Sequence, residues 1–94
     1  MKLWFENTNR DENDPLRRRV ICDCMTWKEV DRSIDEFIQQ CNETKPKKNS
    51  FKRYYTRVWP SEGMTKIDVG SHTEFFYWEG DYPENKGSGK NDNS

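Results

Sequence analysis

The sequence predicts a small α+β domain over residues 1–80, with one amphipathic helix packed on one face of a mostly antiparallel sheet. Three observations predict it. Residues 26–42 repeat apolar side chains at helical spacing behind a capping signal. Segments on both sides of that run alternate apolar and polar residues with a period of two. Aromatic residues supply 14% of a chain that is only 31% apolar and 35% charged, so the core is expected to be few-membered and aromatic. Ninety-four residues make one domain, too small for a deep internal active site.

The elements follow in order. Lys2–Asn7 reads as a first strand, with Leu3 and Phe5 on one face and Trp4 on the other. Residues 8–15, TNRDENDP, are a polar turn region. Residues 16–25 read as a second strand, best over 18–24, with Val20, Cys22 and Cys24 sharing a face opposite Ile21 and Asp23. Thr26 and Glu29 then spell a T-x-x-E capping box, and Met25 is placed to staple onto Val30. Trp27, Val30, Ile34, Phe37, Ile38 and Cys41 form one stripe, and charges fill the rest of the helix. Asn42 and the turn-prone TKPKKNS end it, since Pro46 forbids continuation.

Residues 51–59, FKRYYTRVW, read as a third strand with Phe51, Arg53, Tyr55, Arg57 and Trp59 on one face. Pro60-Ser61-Glu62-Gly63 signals a turn, and residues 64–69 complete a hairpin. Gly70-Ser71-His72 is a second turn or a bulge, after which residues 73–78, TEFFYW, resume extended structure. The expected order is β-β-α-β-β-β, with the sheet face away from the helix left open. From Asp81 the composition turns to Pro, Glu, Asn, Lys, Gly and Ser, so residues 81–94 are expected to form a disordered polar tail.

Net charge is −1, which points to no class of partner, but the charge is unevenly spread. Residues 45–66 carry seven cations against Glu62 alone, whereas the helix is acidic, an asymmetry suited to steering or to a homo-oligomer. Three cysteines, an odd number, do not make a disulfide framework. With no signal-length or membrane-length apolar run, a cytoplasmic protein in a reducing compartment and no membrane association are expected.

Four constellations carry candidate chemistry. Asp68, His72 and Glu74 place a histidine near two carboxylates, the ingredients of a metal site or a general base. Against this, His72 is expected at a turn tip, away from the acids. Cys22, Cys24 and Cys41 with His72 make a Cys₃His set on paper, but C-x-C on a strand facing a helix stripe reads better as core packing. Arg53, Tyr55, Arg57 and Trp59 interleave cations with rings, a pattern that can stack bases and hold phosphates, or simply stabilise a solvated face. The run 75–78, including Tyr77 and Trp78, offers more aromatic surface than a small core needs and suggests a protein contact. No phosphate-binding loop, dinucleotide fingerprint or nucleophile elbow occurs, so neither an enzyme nor a cofactor is expected.

Taken together, W-x-E-V…I-x-x-F-I (Trp27 to Ile38), Y-Y-T-R-x-W (Tyr54 to Trp59) and T-x-x-D-V-G-S-H-T-E-F-F (Thr65 to Phe76) resemble small uncharacterised proteins of phages and prophages of Gram-positive bacteria. The resemblance supplies no catalytic residues. It implies a non-enzymatic accessory role in the host cytoplasm, binding a host protein such as a defence component. The expected contact residues are Arg53, Tyr55, Arg57, Trp59, His72, Tyr77 and Trp78. Two alternatives use the same residues: a single-stranded nucleic-acid-binding module, and capture of a small anionic nucleotide in an oligomer.

Overall fold

Strand β1 (Lys2–Asn7) pairs antiparallel with β2 (Arg18–Asp23), helix α1 (Trp27–Glu43) follows, and β3 (Arg57–Ser61), β4 (Met64–Asp68) and β5 (Glu74–Trp78) form a meander. The computed structural model describes residues 1–44 and 51–82. Every neighbouring pair is antiparallel and the strand order is β2-β1-β5-β4-β3, so β1 and β5 meet inside the sheet. This is the α+β domain that the sequence predicts, one helix against a five-stranded antiparallel sheet.

The apolar stripe of α1 builds the core. Val30, Ile34 and Ile38 are buried against Leu3, Phe5, Ile67, Phe76 and Trp78 from the inner face of the sheet. Phe37 sets its ring 4.6 Å from Phe5 and edge-on to Phe76 at 5.8 Å, and Trp27 lies 6.2 Å from Trp78. Each fully buried side chain of this core contributes about 1.5–3 kcal/mol through removal from water, and the partly buried Phe37 and Trp27 less. Both arms of the capping box form: Glu29 donates its N–H to Thr26 Oγ1 at 3.2 Å, and its carboxylate accepts from the Thr26 N–H at 3.3 Å. The same carboxylate accepts from the Met25 N–H at 2.6 Å. The expected staple does not form, because Met25 is 69% exposed and is held by its backbone instead of by packing on Val30.

Two strand expectations are corrected. In β2, Leu3 pairs with Cys22 but Trp4 pairs with Val20, so Ile21 is an extra, bulged residue. The bulge turns Val20 outward, 42% exposed, while Ile21 and Cys22 both pack toward the core. The third strand is shorter than residues 51–59 and starts at Arg57. Residues ahead of it are anchored by non-ladder bonds. Asn42 exchanges two side-chain bonds with the Phe51 backbone at 2.8 and 3.0 Å, and the Tyr54 and Tyr55 N–H groups both donate to the Val69 carbonyl.

The β3–β4 hairpin closes through Glu62 and Gly63, both at positive φ (57° and 76°), a two-residue turn whose twist suits paired strands. Pro60 is tolerated in β3 because that strand is at the sheet edge. Gly70 has φ +99° and a close neighbour: a Cβ there would lie 2.9 Å from Tyr54 Cβ. Of the expected tail, Tyr82 sets its ring edge-on to Trp27 at 4.6 Å, and residues 83–94 lie outside the described residues. Lys45, Lys47 and Lys48 of the basic segment also lie outside them.

Candidate binding face

Strand alternation and register decide which side chains point away from α1. One cross-strand row runs Val20–Trp4–Tyr77–Lys66–Trp59 over all five strands. The next row runs Arg18–Glu6–Phe75–Asp68–Arg57. The first is aromatic with a lysine in it; the second alternates charge around a ring.

The charge row is internally satisfied. Glu6, 6% exposed, accepts from Tyr77 Oη at 3.1 Å and from Arg17 and Arg18, each at 3.3 Å. Arg18 also bonds Glu62 at 2.9 Å and lies 4.0 Å above the Tyr77 ring. At the other end Asp68 accepts from Arg57 at 3.2 Å and from the Gly70 N–H at 2.9 Å, with Tyr55 Oη at 3.5 Å. Arg57 in turn stacks 5.2 Å from the Tyr55 ring. The Arg18 hydrogen bond holds the Glu62 carboxyl below its ordinary value. The Lys2 N–H, aided by the Trp4 indole, does the same for Glu79.

The aromatic row differs. Lys66 Nζ lies 4.5 Å from the Phe75 centroid, 5.3 Å from Tyr77 and 5.8 Å from Trp59. The ion pairs on this face engage Arg18 and Arg57; among the described residues none engages Lys66. Trp59 is 39% exposed and Tyr55 is 47% exposed, so the row has accessible ring surface at its β3 end.

Of the residues expected to make contact, the structure brings Arg57, Trp59 and Tyr77 onto this face, with Tyr55 beside Arg57. Tyr77 is only 2% exposed, lying under Arg18. Arg53 does not join them. The chain before β3 is not extended, so its guanidinium reaches α1, bonding Asp35 at 2.8 Å and, at closer range, Asp31. The helix acids and part of the basic segment therefore neutralise each other within the molecule. Trp78 faces the core, 2% exposed, and donates its indole N–H to the Cys24 carbonyl at 3.1 Å. It belongs to the interior, correcting the expectation of a contact surface. His72 is exposed in the β4–β5 loop.

The other constellations come apart. Asp68 turns to Arg57 on the open face, whereas Glu74 is bound by the Ser71 and Thr73 hydroxyls, so the two acids and His72 do not converge. Cys22 and Cys24 lie with sulfurs 3.7 Å apart, Cys24 is buried, and burial pushes its thiol up. Among the described residues no group of three or more His, Cys, Asp or Glu side chains is arranged to hold a metal ion. No helix among them is long and apolar enough to cross a membrane.

The residues missing from the sequence-based site are Lys66, Glu6, Arg18, Phe75 and Trp4. Alternation within each strand marks their side; only the register between β1, β5 and β4 makes them neighbours. Comparisons of the chain with protein families, with curated proteins and with solved structures find no match.

Proposed function

We propose that this protein is a non-enzymatic accessory protein of a phage or mobile element, and that it binds and modulates a host protein through the open face of its sheet. The observation that carries the contact is the row Val20–Trp4–Tyr77–Lys66–Trp59, a rigid stripe with exposed apolar surface at Val20 and Trp59. Tyr and Trp, which supply three of the five side chains in that row, are enriched at contact centres. The phage setting and the host target, a defence component among the candidates, rest on the motif resemblance. Five strands of about five residues project ~400 Å², about half of what one partner buries in a standard interface. A transient complex, or one that recruits the Tyr55 rim, fits that size.

A single-stranded nucleic acid is favoured by one observation, the cation–ring pairs Arg57/Tyr55 and Lys66/Phe75. It is opposed by the carboxylates that occupy Arg57 and Arg18, because tracking a phosphate backbone needs a run of available cations. For a small anionic nucleotide, a cleft of about 410 Å³ beside α1 includes Arg10 and Arg19. Arg10 is already paired with Asp14, which leaves that reading behind the first.

The test places a photo-crosslinking residue at position 59 or, as control, at Gln39 on the exposed side of α1. In a Gram-positive host lysate, position 59 should give a discrete protein adduct, competed by unlabelled wild type but not by a Trp4→Ala/Trp59→Ala variant. The same adducts from both positions, or none from either, would reject the reading.

A further inference from the structure

We infer that the partner presents an acidic segment to this face, with a carboxylate seated on the Lys66 ammonium between Trp59 and Phe75; this rests on the open face being a protein-binding surface. The inference comes from accounting for every charged group there. Each acid already has donors: Glu6 has Arg17, Arg18 and the Tyr77 hydroxyl, and Asp68 has Arg57 and the Gly70 N–H. Glu62 has Arg18, and Glu79 has the Lys2 N–H and the Trp4 indole. The acceptors on the face are therefore largely spoken for.

The donors are not. Lys66 carries three N–H groups and lies over the ring faces of Phe75, Tyr77 and Trp59; its charge also acts on Glu62 through space, but among the described residues no carboxylate is within ion-pair distance of it. Ring quadrupoles attract an ammonium but accept no strong hydrogen bond, so water supplies the remainder in the free protein. Arg57, whose side chain is 69% exposed, uses one nitrogen on Asp68 and keeps further N–H groups. Lys2, at the end of β1 and 6.0 Å from the Trp4 centroid, is a second exposed cation over a ring, its charge acting also on Glu79. A basic partner would meet acids that are already engaged, and an uncharged one would strip water from Lys66 without replacing it. An acidic one supplies acceptors where donors stand free, with ring surface alongside for apolar neighbours of the carboxylate.

Discrete carboxylates also fit the spacing better than a polyphosphate backbone does. Lys66 and Arg57 lie in adjacent rows on neighbouring strands, with paired or apolar groups on either side of them. That pattern offers two separated positions, whereas a nucleic acid would be held by a continuous track.

The experiment titrates the folded protein with a labelled Glu/Tyr-rich decapeptide, its Gln/Tyr counterpart, a Lys/Tyr counterpart and an oligo-dT of matching charge, at low salt. The Glu/Tyr peptide should bind best. Lys66→Gln, which removes the charge and keeps a side chain on the strand, should weaken it about tenfold, while Lys28→Gln on the helix should leave it unchanged. Melting curves confirm that both variants fold. Equal binding of the Gln/Tyr or Lys/Tyr peptides, or insensitivity to Lys66→Gln, overturns the inference, and tighter binding of oligo-dT replaces it with nucleic-acid recognition. The crosslinking experiment separates the two levels. A position-59 adduct whose yield ignores Lys66→Gln keeps the binding module and removes its acidic partner; loss of any adduct removes the module itself.

Discussion

Replacing Glu6 with alanine should destabilise the fold by about 3 kcal/mol. Glu6 is 6% exposed and accepts three bonds, two from arginines whose side chains are 27% exposed and one from the buried Tyr77 hydroxyl. A hydrogen bond to a charged group is worth about 1.5–3 kcal/mol, and partial solvent access puts the arginine bonds at the low end. Arg18 keeps Glu62 and Arg17 keeps the Arg10 carbonyl, which limits the loss further. Tyr77 has no such reserve, and leaving its hydroxyl unpaired adds about 1 kcal/mol. A double-mutant cycle isolates that last part. Tyr77→Phe alone should cost about 1 kcal/mol and should cost nearly nothing in the Glu6→Ala background. Urea denaturation reads all four proteins; with a slope of roughly 1–2 kcal/mol/M, Glu6→Ala should lower the midpoint by about 2 M. A shift under about 0.5 M, or full additivity in the cycle, would refute the claim that Glu6 organises this face.

Arg53→Ala should lower the melting temperature by about 5–10 °C, since it removes bonds to Asp31, Asp35 and Thr56 and leaves two acids one helical turn apart; faster amide exchange at Tyr54 and Tyr55 should accompany it. Stability should fall on acidification: Glu62 and Glu79 have folded values below 4.5, so the unfolded chain binds more protons, and their contribution, complete above 4.5, is lost as pH drops through the lower folded values. A Glu62→Gln/Glu79→Gln variant should show a flatter melting-temperature profile between pH 6 and pH 3; an unchanged slope contradicts the assignment. Cys24 should resist a soluble thiol reagent until the protein unfolds, whereas the half-buried Cys22 reacts before it, a difference that mass spectrometry of the native protein reads directly.

What was legible in the sequence was what neighbours along the chain decide. The α1 cap, its stripe and its end depend on residues within one or two turns, and Thr26, Glu29, Val30, Ile34 and Ile38 behave as read. The β1 limits are local in the same way, and so is the turn before β4, although it closes through Glu62 and Gly63 alone while Pro60 and Ser61, expected in it, pair as part of β3. Ile21 is different. Its bulge exists only against β1, and nothing in residues 18–24 announces it. Arg53 left the expected face because residues ahead of β3 find Asn42, Val69, Asp31 and Asp35, partners 9 to 22 positions away that alternation cannot reveal. Three residues of the candidate face were therefore visible, Arg57, Trp59 and Tyr77, while the ring of aromatics around Lys66 required the order of strands.

That order has a further consequence for how the chain reaches its native state. The strand inside the sheet, β5, comes after all the others in the chain, and its partner β1 comes first, with bonds such as Trp4 to Glu79 spanning 75 positions. During synthesis β1 and β2 can form a hairpin and α1 can coil, but the stripe on α1 has no Phe76 or Trp78 to cover it until β5 emerges. The slow step is expected to be this late closure, as in other folds rich in distant contacts. Until it happens the nascent chain exposes one apolar helix face and two unpaired strand edges, the features most prone to aggregate. Yield of folded protein should thus depend on how quickly translation runs through Trp78, and a chain stopped before β5 should be recovered insoluble.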